Sequence, residues 1–189
     1  MLKQLLPSFL VLLVLTLITG LVYPLLVTGM AQALFHDAAN GSLVKKNGAV
    51  VGSSLIGQQF DDPRYFWSRP SATTPAYAGG ASSGSNYGPL NPALKEMAES
   101  RASALRAADS GNLTPIPVDL CTASASGLDP HISPAAAYWQ APRVARARNL
   151  PVERIRSVIA AHTENRTLGI FGEPRVNVLL LNLSLDEER

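Results

Sequence analysis

The hydrophobic pattern of the chain changes abruptly near residue 37. No formally charged residue lies between Lys3 and Asp37, and fourteen of the residues 9–27 are Leu, Ile, Val or Phe. A run this long and this apolar predicts a transmembrane helix over about residues 5–30. At 1.5 Å per residue that helix is about 39 Å long, so it can span a hydrocarbon core of about 30 Å with tilt. Pro24 is expected to kink this helix at most.

A cleaved signal peptide is the alternative, because Lys3 supplies a positive start and residues 31–33 read Ala-Gln-Ala. The apolar run is longer than the roughly 7 to 15 residues of a signal peptide core, which favours a retained anchor. Lys3 precedes the helix, so the positive-inside rule predicts a cytoplasmic N-terminus, although Lys45 and Lys46 oppose it weakly. The rest of the chain is then expected to be periplasmic.

Within the apolar run, side chains other than Leu and Val recur every four residues, at Thr16, Gly20, Pro24 and Thr28. Small residues let a second helix approach closely in lipid, where van der Waals packing drives helix association. The stripe is therefore a candidate contact with a membrane partner. Chance is the alternative, because Thr and Gly are common in membrane helices.

Beyond residue 37 the chain reads as shorter elements. Asn47 and Gly48 lie between two apolar stretches, which predicts a β-hairpin turn with positive φ at both positions. Residues 61–91 are rich in Gly, Ser, Pro and aromatic side chains without a regular period, which predicts a long, ordered surface loop.

Helix signals follow this loop. Asn91 and Pro92 predict an N-cap and first residue of a helix that ends before Gly111. Ser133 and Pro134 predict a second helix, which Pro142 is expected to kink or split. A third helix is expected to open at Pro151, with Val152, Ile155, Val158 and Ile159 as its buried stripe.

Residues 175–183 alternate in part and are rich in apolar side chains, which predicts a largely buried strand. The expected fold class is α+β: one N-terminal transmembrane helix followed by a single soluble domain with a small β-sheet and about three helices. The expected boundaries are residues 1–36 for the anchor and 37–189 for the soluble, periplasmic domain.

Composition excludes some functions. The net charge of +2 over 189 residues is too small to indicate nucleic-acid binding, and the only cysteine, Cys121, cannot form an intrachain disulfide.

Residues 80–84 match the G-x-S-x-G motif of hydrolases, but Ser82 has loop sequence on both sides, whereas that motif needs a strand and a helix. The three histidines lack metal-ligand spacing, and no phosphate-binding loop, aspartyl-phosphate site or potassium filter is present. We therefore expect no catalytic and no metal residues.

Basic residues concentrate between positions 143 and 156. Five arginines fall in these fourteen residues, opposed only by Glu153. They are expected either to be the solvated faces of two helices or to meet lipid headgroups, phosphates or an acidic partner. The arginines are Arg143, Arg146, Arg148, Arg154 and Arg156.

Several sequence blocks together resemble one family. The longest block is residues 116–134, Ile-Pro-Val-Asp-Leu-Cys-Thr-Ala-Ser-Ala-Ser-Gly-Leu-Asp-Pro-His-Ile-Ser-Pro. Shorter ones are residues 55–58, 65–71, 84–89 and 172–178. Behind one membrane helix, and in this order, they resemble the C subunit of the bacterial Kdp-type potassium-transporting P-type ATPase over essentially the whole chain.

This resemblance implies a non-catalytic subunit of an inner-membrane complex, whose sister subunits conduct potassium and hydrolyse ATP. For the family it implies a role in assembly and a catalytic-chaperone role that raises the ATP affinity of the ATP-hydrolysing subunit. Potassium and ATP are then handled by the complex, and the expected partners of this chain are the sister subunits and the lipid bilayer, with no nucleic acid. The alternatives are a membrane-anchored periplasmic hydrolase or binding module. The expected partner-contact residues are Thr16, Gly20, Arg69, Asn86, Asp129, His131 and Arg175.

Overall fold

The computed structural model describes residues 2–187 of the chain. These residues form two compact units, which divide between Leu43 and Val44. The fold class is α+β, as the sequence predicts.

The first unit is one long apolar helix followed by a short one. Helix α1 (Leu2–Leu17) runs into a π-helical turn (Ile18–Val22) and then helix α2 (Tyr23–Leu34), and α3 (His36–Ala39) follows. The stretch Lys3–Leu34 is 32 residues long, and none of the residues in its most apolar part is buried. At 1.5 Å per residue it is about 48 Å long, enough to cross a bilayer.

The π-helical turn has a local cause. Pro24 has no N–H to donate, and its ring would crowd the carbonyl of Gly20 four residues earlier in a regular α-helix. The wider turn Ile18–Val22 ends where the N–H of Tyr23 bonds the carbonyl of Ile18. The sequence prediction that Pro24 disturbs the helix without ending it is confirmed, because α2 continues to Leu34.

The second unit contains two small sheets. Strands β1 (Leu43–Lys46) and β2 (Ala49–Ser53) form a hairpin whose turn residues have φ of 52° at Asn47 and 79° at Gly48. The predicted hairpin is therefore confirmed. The other sheet is antiparallel, in the order β3 (His131–Ile132), β5 (Arg175–Asn177) and β4 (Thr163–Glu164).

Four longer helices belong to this unit: α4 (Pro92–Ala108), α5 (Pro134–Arg148), α6 (Val152–Ala161) and α7 (Val178–Leu185). The predicted N-caps are confirmed, because Asn91 accepts from the N–H of Ala93 at 2.9 Å and Ser133 accepts from that of Ala136 at 3.0 Å. In α6, Ile155, Val158 and Ile159 are buried as predicted, whereas Val152, the first residue of the predicted stripe, is only partly buried against the core.

One prediction about local structure was wrong. Only residues 175–177 of the predicted strand 175–183 form a strand, and the rest is α7. Asn177 caps this helix by accepting from the N–H of Leu180 at 3.2 Å, and a short apolar run fits a buried helix as well as a buried strand. Of the two alternatives predicted at Pro142, the split is excluded, because α5 is continuous to Arg148, with the buried residues Ala141 and Val144 on either side of the proline.

The long loop between β2 and α4 is fastened to the core by two buried amides. Asn182 on α7 accepts from the backbone N–H of Phe66 at 2.8 Å and donates to its carbonyl at 3.0 Å. Gln140 on α5 does the same for Trp67, at 2.8 and 3.1 Å. The loop thus gains the backbone hydrogen bonds that a sheet would otherwise supply. Phe66 is fully buried as a result.

A candidate partner-contact cleft

The polar loop, residues 119–131, organises the segments around it through its own carbonyl groups. The carbonyl of Ser126 accepts from the N–H of Ser83 at 2.9 Å, that of Gly127 from the hydroxyl of Ser71 at 2.6 Å, and that of Leu128 from the N–H of Gly57 at 2.8 Å. The carbonyl of Pro130 accepts from the N–H of Val178 at 3.0 Å. Separate stretches of the chain therefore meet at this loop.

These stretches pack most closely against the polar loop at Gly127. Its φ is +68°, and a Cβ at this position would lie 2.6 Å from the carbonyl oxygen of Ser83 and 2.8 Å from Cγ2 of Thr73. Only glycine fits here without a shift of backbone atoms.

Three of the predicted contact residues form one cluster on the polar loop. Nη1 of Arg69 donates to Oδ2 of Asp129 at 2.9 Å, and Nη2 of Arg69 donates to the carbonyl of Ala123 at 3.3 Å. The backbone N–H of His131 donates to Oδ1 of Asp129 at 3.0 Å, and the Nδ1 atom of His131 lies 3.1 Å from the same oxygen. Partial burial raises the pKa of Asp129, but the hydrogen bonds from His131 and the charge of Arg69 outweigh it and hold that pKa below its ordinary value.

A surface cleft of about 410 Å³ opens beside this cluster. Arg69, Asp129 and His131 line it together with Arg175, so the structure brings four of the seven predicted contact residues to one place. Arg175 is held by Glu164, with Nη2 2.9 Å from the carboxylate. The cleft presents hydrogen-bonding groups of both charges, a surface suited to a polar protein partner.

The sequence analysis missed two acidic residues in the cleft, Asp119 and Glu173. Asp119 accepts from the N–H of Ser133 at 2.7 Å and from its hydroxyl at 3.2 Å. The same Ser133 hydroxyl also accepts from the backbone N–H of Ala136 as the N-cap of α5. Asp119 therefore has a structural role, because it holds the residue that caps α5. No local sequence signal joins Asp119 to a helix start fourteen residues later.

The other three predicted contact residues lie elsewhere. Asn86 is exposed in the long loop with a positive φ of 52° and does not line the cleft. Thr16 and Gly20 belong to the apolar helix, where the hydroxyl of Thr19 donates to the carbonyl of Leu15 at 2.7 Å just before the π-helical turn closes.

Most of the arginine cluster has a structural role that the sequence analysis did not foresee. Arg143 is 3% exposed, donates to the carbonyl of Tyr65 at 3.1 Å and lies 4.7 Å from the ring centroid of Trp67. Burial lowers its pKa to about 10. Arg148 lies 4.9 Å from the ring centroid of Tyr65 and pairs with Asp186 at 3.0 Å. These two arginines hold the long loop between β2 and α4 and the end of α7 in place. Neither a solvated helix face nor an anion-binding surface describes them.

Arg146 pairs with the buried Asp109. Arg156 is half-exposed and lies 3.8 Å from Glu153 on the same helix. Arg154 and Arg156 on α6 are both exposed, as expected for a solvated helix face.

The G-x-S-x-G match lies in loop on both sides, as predicted. The hydroxyl of Ser82 donates to the carbonyl of Ser126 at 3.1 Å, which fastens the loop. Within residues 2–187, no three His, Cys, Asp or Glu side chains are grouped as metal ligands would be.

Comparison with known proteins assigns the chain to a family. The family model described as "KdpC: K+-transporting ATPase, c chain" matches residues 5–187. This chain belongs to the KdpC family. A "Potassium-transporting ATPase KdpC subunit" of Sorangium cellulosum (strain So ce56) is 63% identical over 190 residues, which cover 100% of both chains. Proteins of the same name match from Methylococcus capsulatus, 63% identical with 97% of each chain covered, and from Herpetosiphon aurantiacus, 59% identical with 96% of this chain and 94% of the relative covered.

The KdpC assignment confirms the resemblance seen in the sequence blocks. The structure adds a physical reason for their number and spread. Residues 55–58, 65–71 and 172–178 each supply a donor to a polar-loop carbonyl, through Gly57, Ser71 and Val178. Three of the four shorter blocks are therefore hydrogen-bonded to the longest one.

Proposed function

We propose that this chain is the membrane-anchored, non-catalytic accessory subunit of a potassium-importing ATPase, required for assembly of the complex. The observation that carries this proposal is the match to a KdpC subunit at 63% identity, which covers 100% of this chain and 100% of the relative. The long apolar helix supports it, because a helix with no side chain buried in its own chain needs lipid or another helix around it.

The proposed division of labour assigns potassium conduction and ATP hydrolysis to sister subunits. This chain binds them through Thr16 and Gly20 in the membrane helix and through Arg69, Asn86, Asp129, His131 and Arg175 in the folded domain. The folded domain, residues 37–189, is proposed to lie in the periplasm. Any increase in the ATP affinity of a sister subunit must then pass across the membrane as a coupling free energy between distant sites.

The proposed orientation makes a labelling prediction. In a Cys121→Ser background, a cysteine at Leu90, which is 97% exposed, will react with a membrane-impermeant maleimide added to intact spheroplasts. A cysteine at Gln4, before the apolar run, will react only after the membrane is opened. The reverse pattern would show that the folded domain is cytoplasmic.

A second prediction concerns the membrane helix. Gly20→Leu will reduce recovery of the sister subunits several-fold while leaving membrane insertion intact, because a Cβ at Gly20 meets nothing within 4 Å in this chain and can clash only with a partner. Gly29→Leu is the matched control, since Gly29 lies in the same helix, is equally open and falls outside the four-residue spacing. Equal recovery with both variants would show that the stripe makes no contact.

The proposed function itself is tested by affinity purification of the tagged full chain from membranes in mild detergent. We expect a potassium-conducting and an ATP-hydrolysing subunit to be recovered in fixed proportion with it. Recovery of the chain alone, or as a mature protein that lacks residues 1–36, would contradict the proposal.

A further inference from the structure

A short hairpin between β4 and β5 exposes three large apolar side chains within four residues. Leu168 is 83% exposed, Ile170 72% and Phe171 64%. We name residues 166–173 the apolar finger. Its tip contributes nothing to the core of its own domain, although its side chains are among those most often found in protein interiors.

The finger is rigidly built. Thr167 and Phe171 exchange backbone hydrogen bonds at 2.9 and 3.0 Å, and the N–H of Ile170 donates to the carbonyl of Thr167 at 3.2 Å. Leu168 has a φ of +55°, a left-handed conformation that leucine rarely adopts, and the adjacent Gly169 has +74°. A strained, hydrogen-bonded turn that holds apolar side chains in solvent indicates a role outside the domain's own stability.

The charge at the base of the finger indicates what it binds. Arg166 pairs with Glu173 at 2.7 Å, and Arg175 pairs with Glu164 at 2.9 Å. These two pairs cancel, so the base presents no net positive charge of the kind that attracts anionic lipid headgroups. An uncharged apolar tip within a neutral polar rim has the composition of a protein interface core instead.

The finger is also continuous with the cleft, because Glu173 belongs to both and Arg175, two residues further along, lines the cleft. We propose that the apolar finger docks into an uncharged apolar pocket on a sister subunit, with the cleft as the polar part of the same interface. This inference rests on the proposed function, since it requires a complex with sister subunits. It adds a contact by Leu168, Ile170 and Phe171 that the resemblance did not indicate.

Photo-crosslinking in the full chain tests this proposal directly. A photoreactive phenylalanine analogue replaces Phe171 in membranes that contain the whole complex, and the matched control places it at Leu113, an 87% exposed residue outside the finger. We expect a covalent adduct with a sister subunit from position 171 and none from position 113. Adducts with lipid alone would overturn the proposal in favour of a bilayer contact.

Variants give a second, independent readout. The double variant Ile170→Ser and Phe171→Ser is expected to reduce recovery of sister subunits about tenfold or more, because two apolar side chains lose their burial in the interface. Its thermal unfolding midpoint should match that of Leu113→Ser, since all three side chains are exposed in the chain alone. Wild-type recovery with the double variant, or no adduct from position 171 while sister subunits still co-purify, would overturn the finger proposal alone. A wild-type chain that recovers no sister subunit would overturn the proposed function as well.

Discussion

Replacing Asn182 with leucine will lower the free energy of unfolding of the folded domain by about 2–6 kcal/mol. The side chain of Asn182 is buried and satisfies both the N–H and the carbonyl of Phe66, which is itself fully buried. Leucine has a similar branched shape, although a larger volume, and neither donor nor acceptor, so both backbone groups lose their partners, at about 1–3 kcal/mol each. In a domain of this size the thermal midpoint should fall by roughly 10 °C.

The measurement is thermal or denaturant unfolding of the full chain in detergent, followed by circular dichroism. Asn165→Leu is the control for the same chemical change, because Asn165 is exposed, and we expect a change of less than about 0.5 kcal/mol. If both variants change the free energy of unfolding by the same amount, the buried amide of Asn182 does not hold the long loop between β2 and α4 in place.

The second large effect is expected at Gly127. Gly127→Ala adds a Cβ at a φ of +68°, 2.6 Å from the carbonyl oxygen of Ser83, so both backbone strain and a backbone clash oppose it. We expect a loss of about 2–4 kcal/mol, of which about 1 kcal/mol is the strain of the left-handed conformation.

Gly48→Ala separates the two contributions. Gly48 has a similar φ of +79°, but a Cβ there meets nothing within 4 Å, so this control should lose only about 1 kcal/mol. The difference between the variants measures the close packing of the polar loop on the 83–84 segment. Equal losses would mean that the loops are not packed as described.

The parts of the fold that were predictable depend on neighbouring residues. The turn at Asn47 and Gly48 and the helix starts at Asn91 and Ser133 were correct, because a short side chain or a missing Cβ acts on backbone groups within three residues. The strand at 175–183 was wrong after Asn177, since an uninterrupted apolar run has no period that separates a buried strand from a buried helix.

The arrangement of the long loop could not be predicted, because its hydrogen bonds join distant residues. The bonds of Asn182 to Phe66 span 116 positions and those of Gln140 to Trp67 span 73. The same holds for Arg143 and Arg148, whose partners are backbone carbonyls and aromatic rings far along the chain. From the sequence alone, such arginines are counted as part of a basic patch, because their distant partners cannot be seen in it.

The candidate cleft was partly predictable. Arg69, Asp129, His131 and Arg175 were selected because they lie in the blocks that resemble the family, and the structure gathers them at one cleft. The apolar finger was not selected, because the residue types of Leu168, Ile170 and Phe171 do not by themselves distinguish exposed side chains from core ones. Only the structure shows that they are exposed.

We propose that this chain enables a potassium-transporting ATPase without carrying out its chemistry. The most direct measurement is potassium-stimulated ATP hydrolysis by the purified complex, by the sister subunits without this chain, and by this chain alone. We expect activity in the complete complex, its loss without this chain, its return when the chain is added back, and none from the chain alone. Full potassium-stimulated activity in its absence, or ATP hydrolysis by the isolated chain, would contradict the account.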